Sequence, residues 1–263
     1  MTAGRLALCA LLACAGCKQA EPVPHRTEPW LAHPSASGAA AAAGAPRRFD
    51  FVAGSRVRFS VAGRKAKLGG SAPLSGGSLS LDSRDLKSAS GSVDVDLTKL
   101  SIDSDGAPPA DDALGGAAPA AVALQWLELG PDVAAERRAS FATARFELAS
   151  VDNLSAPLLD FSAKRPPHVR VTAIGTLLIH GFKEPVRVEL VLEPQKPEPG
   201  AEPRLLIRTA SALVVALAPH DITARGPAGI ADTAATARAA DWVGKSVRIE
   251  FELPAQAALA GAK

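Results

Sequence analysis

The chain has 263 residues and nearly balanced charge, with 29 Lys and Arg against 27 Asp and Glu. A net charge of +2, no Tyr and no basic run interleaved with aromatics leave no footprint for nucleic acid. All the cysteines, Cys9, Cys14 and Cys17, fall at the N-terminus, so the chain beyond Cys17 holds no disulfide and no thiol chemistry.

"MTAGRLALCALLACAGC" carries one positive residue, Arg5, and then an apolar run from Leu6 to Ala15. The run is shorter than the ~20 residues a helix needs to span a bilayer and suits the core of a signal peptide. Its ending, "LLACAGC", resembles a bacterial lipobox. Cys17, preceded by Cys14, Ala15 and Gly16, is the preferred lipid-modified residue. That frame gives the longer apolar core and runs at once into the polar "KQAEP", although Cys14 stands where Leu is usual. Cys14, preceded by Leu11, Leu12 and Ala13, is the other frame, and an ordinary signal peptide cut nearby is the alternative to both. The resemblance implies a lipoprotein signal over 1–16 and an acylated Cys17 anchoring the protein in the envelope. Lys18, in place of an Asp, points to the outer membrane by analogy with enteric bacteria. Residues 17–47, rich in Pro, Ala and Ser without sustained period, read as a flexible tether. His25, Trp30 and His33 are then solvated linker residues.

Residues 48–255 read as one all-β domain, with a short tail over 256–263. "SRVRFSVAG" alternates around Val57, Phe59 and Val61, and "GGSLSLDSRDL" around Leu79 and Leu81. "ASGSVDVDLTKLSI" sets Val93, Val95 and Leu97 against Asp94, Asp96 and Thr98. "RASFATARFELASVDNL" reads as a strand with Phe141, Phe146 and Leu148. "HVRVTAIGTLLIHG" and "VRVELVLE" form a hairpin, in which Val186, Val188, Leu190 and Leu192 alternate with mostly polar neighbours. "PRLLIRTASALVVALAP" and "KSVRIEFELP" complete the set. "PAAVALQWLEL" is a short helix with Val122, Trp126 and Leu129 on one stripe, and "ADTAATARAADWVG" is another. "DSDGAPPADDALGGAAP" and "PQKPEPGAEP" read as inserted loops.

About eight sequential strands with turn-forming breaks predict an antiparallel up-and-down, lipocalin-like barrel with one or two short helices. Such a barrel is just wide enough for its own side chains or one slim ligand. The predicted lining is Val57, Phe59, Val61, Val93, Val95, Phe146, Leu177, Ile179, Val188 and Leu190.

Four segments in order carry a family resemblance. They are "RFDFVAGSRVRFSVAGRKAKLGGSAPLSGGSLSLDSRDL", "SASGSVDVDLTKLSIDS", "GTLLIHGFKEPVRVEL" and "VGKSVRIEFELPA". The chain from about 48 to 255 resembles the YceI-like family of periplasmic lipocalin-like barrels, the third segment being the most specific. It departs at "SDGAPPADDALGGAAPAAVALQWLEL", where the family's Tyr is absent, and at "APHDITARGPAGI", where an Asn-Arg-x-Asp-Phe-Gly-like turn is usual. The resemblance implies binding of an isoprenoid or similar apolar lipid in the interior of a periplasmic, non-enzymatic protein. The other open reading is a self-filled barrel serving as a structural or protein-interaction module of the envelope.

Chemistry-bearing motifs are few. There is no G-x-S-x-G, S-x-x-K, H-E-x-x-H or P-loop, and no cofactor or metal is called for. His180 stands at the turn of the hairpin, and strand alternation places it outside when Leu177 and Ile179 face the lumen. "PHDITARG" brings His220, Asp221 and Arg225 together, as half of a catalytic dyad or, more simply, as a rim loop. There Arg225 would meet a polar head group. "SIDSDGAPPADD" imitates a calcium loop through Asp103, Asp105, Gly106 and Asp112, but Ser101 holds the first ligand position and two prolines follow the Gly, so it reads as an acidic turn. Trp126 and Trp242 each close a helical segment and would plug a barrel end or pack in the core.

Overall fold

The structure, a computed structural model, describes residues 45–103, 117–195 and 201–258 apart from 66, 164, 227, 228 and 241. Cys17, the signal peptide, nearly all of the tether, and Asp105, Gly106 and Asp112 lie outside the described residues.

The strands are β1 (Arg47–Phe51), β2 (Arg56–Ala62), β3 (Lys67–Asp82), β4 (Asp85–Asp96), β5 (Ser101–Ile102), β6 (Thr143–Asp152), β7 (Val169–Ile179), β8 (Phe182–Gln195), β9 (Arg204–Thr209), β10 (Leu213–Ala216) and β11 (Ser246–Ala257). The helices are α1 (Pro119–Trp126), α2 (Ala135–Phe141) and α3 (Thr233–Ala239). Strands β2, β3, β4, β6, β7, β8, β9 and β11 pair in that order, all antiparallel, and β11 returns to β2. The result is the closed, up-and-down, eight-stranded ring that the alternation predicts.

Two walls of the ring are broken strands. β1 and β2 are interrupted at 52–55, where Gly54 takes a φ of +85°. β9 and β10 are interrupted at 210–212. Both pairs flank β11. Its first half pairs with β2 and β10, from Ser246 to Phe251, and its second half with β1 and β9, from Glu252 to Ala257.

The segment around Phe141 departs from the sequence reading. "AERRASF" is α2, and β6 starts only at Thr143. Phe141 and Phe146 are five residues apart, an odd spacing that cannot share one strand face, and the Ala/Glu/Arg composition favours helix.

Two apolar clusters pack toward opposite ends of the barrel. One gathers Phe49, Leu81, Leu86, Leu159, Val169 and Leu205, capped by Phe161 stacked on Phe49 at 5.8 Å between ring centroids. The other gathers Leu97, Leu127, Leu129, Ile179, Val215 and Val247, beneath α1 and the connections around it. Between them, Gly175 faces the Phe146 ring. A Cβ there would stand 2.6 Å from Phe146 Cζ and closer still to the Glu147 carbonyl oxygen. Gly175→Val is therefore expected to destabilise by at least the ~1–3 kcal/mol typical of overpacking, read as a lowered urea midpoint. An unchanged midpoint would show that β6 and β7 yield at this crossing.

β4 ends at Asp96, which caps the helical turn that comes next. Its carboxylate accepts from the Thr98 N–H at 3.0 Å and pairs with Lys99 at 3.0 Å. Burial pushes this carboxyl up, but the bonds from Thr98 and Lys99 together outweigh it and hold it below its ordinary value. A depressed folded-state pKa adds stability that is present above the unfolded carboxyl's pKa of about 3.9 and is lost as pH falls through the folded value. Asp96→Asn is expected to lower stability at neutral pH by up to ~1 kcal/mol, as for a partly exposed pair. The gap from wild type should close in acid, and unfolding curves at the two pH values check both.

Candidate functional site: an apolar lumen and a buried polar rim

The barrel is hollow. A cavity of about 300 Å³ runs through its middle, within the roughly 300–1,000 Å³ of small-molecule sites. Its lining is apolar throughout except at Ser78, Ser92 and Arg145. Eight strands leave little more than side-chain room, so the space comes from small residues at inward positions: Ala72, Ala89, Gly91, Ala144 and Ala173. Several larger lining residues, among them Phe59, Val93, Val95, Phe146 and Leu190, stay partly accessible instead of fully buried. A self-filled interior would have buried them.

Val57, Phe59, Val61, Val93, Val95, Phe146, Leu177, Ile179, Val188 and Leu190 all line this cavity. Residues that the sequence reading did not include in the lining join them. Val247, Ile249 and Phe251 on β11 follow the same period-two rule and were legible by it. Pro119, Val122, Ala123 and Trp126 face the cavity from α1, spaced as i, i+3, i+4 and i+7. The stripe shows in the sequence, but its placement at the end of a barrel does not. Pro at the first turn suits this helix start, and no residue of α1 is fully buried, so it lies over the cavity end without sinking into a core. Trp126 thus contacts the lumen. Trp242 does not line it and lies beneath the Lys65 ammonium, 5.7 Å from the ring centroid.

Arg225 does not reach the lumen. It is buried, 7% exposed, in a polar cluster outside the wall at the α1 end. Its Nη1 donates to the Gly229 carbonyl at 2.9 Å and lies 3.2 Å from Glu128 Oε1. Its Nη2 donates to Asp221 Oδ2 at 2.6 Å and to the Asp221 carbonyl at 2.8 Å. Glu128, fully buried, also pairs with Arg137. The expectation that Arg225 presents its charge to a head group is corrected: two carboxylates and two carbonyls already engage that guanidinium.

His180 lies outside the lumen, as the alternation places it, but it is not exposed to solvent. It is 2% exposed, because it sits in a turn beyond the strand. Ile179 pairs with Phe182, leaving His180 and Gly181 as a two-residue turn with φ of +50° and +80°, the type I′ signature. The turn folds the ring over Phe141, 4.2 Å between centroids. His180 Nδ1 donates to the His220 carbonyl at 2.9 Å, and its Nε2 lies 3.5 Å from Glu128 Oε1. His220 and Asp221 form no dyad. The His220 Nε2 bonds Glu184 at 2.9 Å, while Asp221 turns to Arg225. Asp221 sits at a φ of +53°.

Donor atoms of Glu128, His180 and Asp221 lie within 4.8 Å of one another, a spacing that also suits a cation. Two guanidiniums, Arg137 and Arg225, already balance the two carboxylates, and a metal ion there would face Arg225 at close range. The arrangement favours an ion-pair network over a metal centre.

No family model and no curated protein matches the sequence. Among solved structures, a polyisoprenoid binding domain from Saccharophagus degradans, implicated in plant cell wall breakdown, aligns at a TM-score of 0.50 and 13% identity. That alignment covers 80% of this chain and 98% of that one. BcnA from Burkholderia cenocepacia aligns at a TM-score of 0.48 and 14% identity, over 76% of this chain and 95% of its own. A YceI protein of Campylobacter jejuni aligns at 0.37 and 10%, over 64% and 71%. At such identities the likeness is one of fold: the chain has a YceI-like barrel.

A hollow interior makes a direct prediction. Val93→Phe adds bulk that a filled barrel would meet with ~1–3 kcal/mol of overpacking strain. Here it is expected to change stability by less than ~1 kcal/mol, measured by urea unfolding, because the ring enters open space. A loss at the upper end of that range would mean the lumen has no room.

Proposed function

We propose that this protein is a non-enzymatic lipid binder of the cell envelope, holding an isoprenoid-like or other amphiphilic chain within its barrel. The observation that carries this reading is the lumen: about 300 Å³, enclosed by strands and lined almost wholly by aliphatic and aromatic side chains. Such a wall offers a ligand little charge or hydrogen bonding, the Arg145 guanidinium being paired with Asp94 at 2.6 Å, so selection rests on apolar area. Each buried methylene contributes about 0.8 kcal/mol. About ten of them give roughly 8 kcal/mol, above the lower bound of about 4 kcal/mol for lost freedom on association. A fragment of two or three carbons does not reach that bound, so the ligand buries at least about five carbons. The fold shared with the polyisoprenoid binding domain of Saccharophagus degradans supports the same ligand class.

The N-terminal sequence completes the proposal. Removal of residues 1–16 and acylation of Cys17 tether the 48–255 barrel through residues 17–47, in the periplasm and at the outer membrane. No helix among the described residues is long and apolar enough to cross a membrane; in this reading the acyl chains on Cys17 provide the attachment. A tethered carrier would stand beside the bilayer that holds its ligand. Catalysis is not part of this reading, since His220 and Asp221 are committed to Glu184 and Arg225.

Protein recovered from a bacterial envelope is expected to carry an apolar mass adduct in native mass spectrometry, or to gain one with isoprenoid quinones or polyprenols. The Val188→Asp, Leu190→Asp double variant, folded by circular dichroism, should carry none. A wild-type protein that stays bare with every such lipid overturns the proposal. Loss of metabolically incorporated palmitate on Cys17→Ala checks the anchor separately.

A further inference from the structure

The polar cluster outside the wall is more elaborate than a stability device requires. Glu128, His180, His220 and Arg225 are each at most 7% exposed. Replacing buried ion pairs by packed apolar groups is often neutral or stabilising, so a network of this kind calls for another explanation. Glu128, His180 and Asp221 also all sit at positive φ, and Asn153 is the remaining non-glycine residue to do so among the described residues. Backbone strain gathered at one place marks a switch or a clamp more often than a scaffold.

Position supplies the meaning. Each strained residue of the network is the chain neighbour of a residue that lines the lumen: Glu128 follows Leu127, His180 follows Ile179, and Asp221 precedes Ile222. The apolar member of each pair faces the cavity, and the polar member fastens outside it. Three separate connections meet there: the stretch after α1, the β7–β8 turn, and the segment Leu217–Arg225. Arg225 and the His220 carbonyl tie that last segment to the other two.

We infer that this network is a latch that closes the α1 end of the barrel and releases locally to let a ligand pass. Glu128, Arg225 and His180 are positioning residues: they hold Leu127, Ile179 and Ile222 in place and touch no ligand themselves. An ionic latch suits the task because opening returns its charged groups to water, and their rehydration offsets the broken ion pairs, whereas an apolar seal would only expose itself. Release also relaxes three strained backbone positions. The wall strands need not part. The ligand-passing role rests on the lipid-binding reading above; the local opening does not.

Hydrogen exchange on the full chain tests the opening directly. Arg225→Gln and Glu128→Gln are expected to speed amide exchange at least ten-fold in peptides covering Leu217–Arg225 and Pro119–Leu129, with β8 unchanged. Asp221→Asn removes only one exposed carboxylate of the network and keeps a residue that tolerates positive φ. It should fold even where the others do not, and show the same pattern at about three-fold. Unchanged exchange, or acceleration spread evenly over the barrel, overturns the latch. Stopped-flow uptake of N-phenyl-1-naphthylamine, an uncharged apolar fluorophore, then adds the ligand step. Uptake should be about ten-fold faster in the variants at equal final fluorescence, and equal rates would overturn the latch as a gate. A wild type that takes up no fluorophore counts against the lipid-binding reading, while the exchange pattern still decides the opening.

Discussion

Everything in this molecule depends on β11 finding partners along both of its edges. An antiparallel sheet of this length, left open, would expose two rows of unpaired backbone groups and could not enclose a space. β11 prevents this by lying between two interrupted strands, β1–β2 on one side and β9–β10 on the other. The interruptions let each flanking wall change direction partway along, so that one 12-residue strand meets four shorter ones. Closure by main-chain hydrogen bonds leaves the inward side chains free of any structural duty except to be apolar.

That freedom is what makes a lumen possible. An eight-stranded ring is narrow, and modest inward bulk would fill it. Small residues at Ala72, Ala89, Gly91, Ala144 and Ala173 leave room among the larger lining side chains. Glycine at 175 serves the same geometry, letting β6 and β7 cross closely enough for Phe146 to lie flat against the wall.

The two ends share an apolar core but differ in what surrounds it. At the end near Phe49, leucines, valines and a stacked aromatic pair form an ordinary core. At the other, α1 lies over the cavity and a second apolar cluster around Leu127 and Ile179, and charged groups outside the wall in addition hold the neighbouring connections together. Dispersion and hydrophobic burial make a permanent plug. Ion pairs in a buried setting make a fastening whose partners lose less on being rehydrated. The asymmetry gives the barrel a base and a mouth.

The sequence by itself determined the all-β class, the sequential order of strands and the ten lining residues it named, because strand alternation is a local rule that each segment obeys independently. It determined α1 and α3 as helices, but α2 was hidden by apolar residues that merely resembled a strand. What only the tertiary structure decided lies where alternation stops. His180 leaves the strand at a turn with positive φ and packs on Phe141, a burial that parity alone does not announce. Arg225 pairs with Glu128, far away in sequence, and no local pattern announces that pairing. Whether the barrel is hollow was equally out of reach, since it depends on how small residues from β3, β4, β6 and β7 come together around one space. Period-two patterning is written residue by residue, whereas a cavity and a buried ion-pair network exist only after the ring has closed.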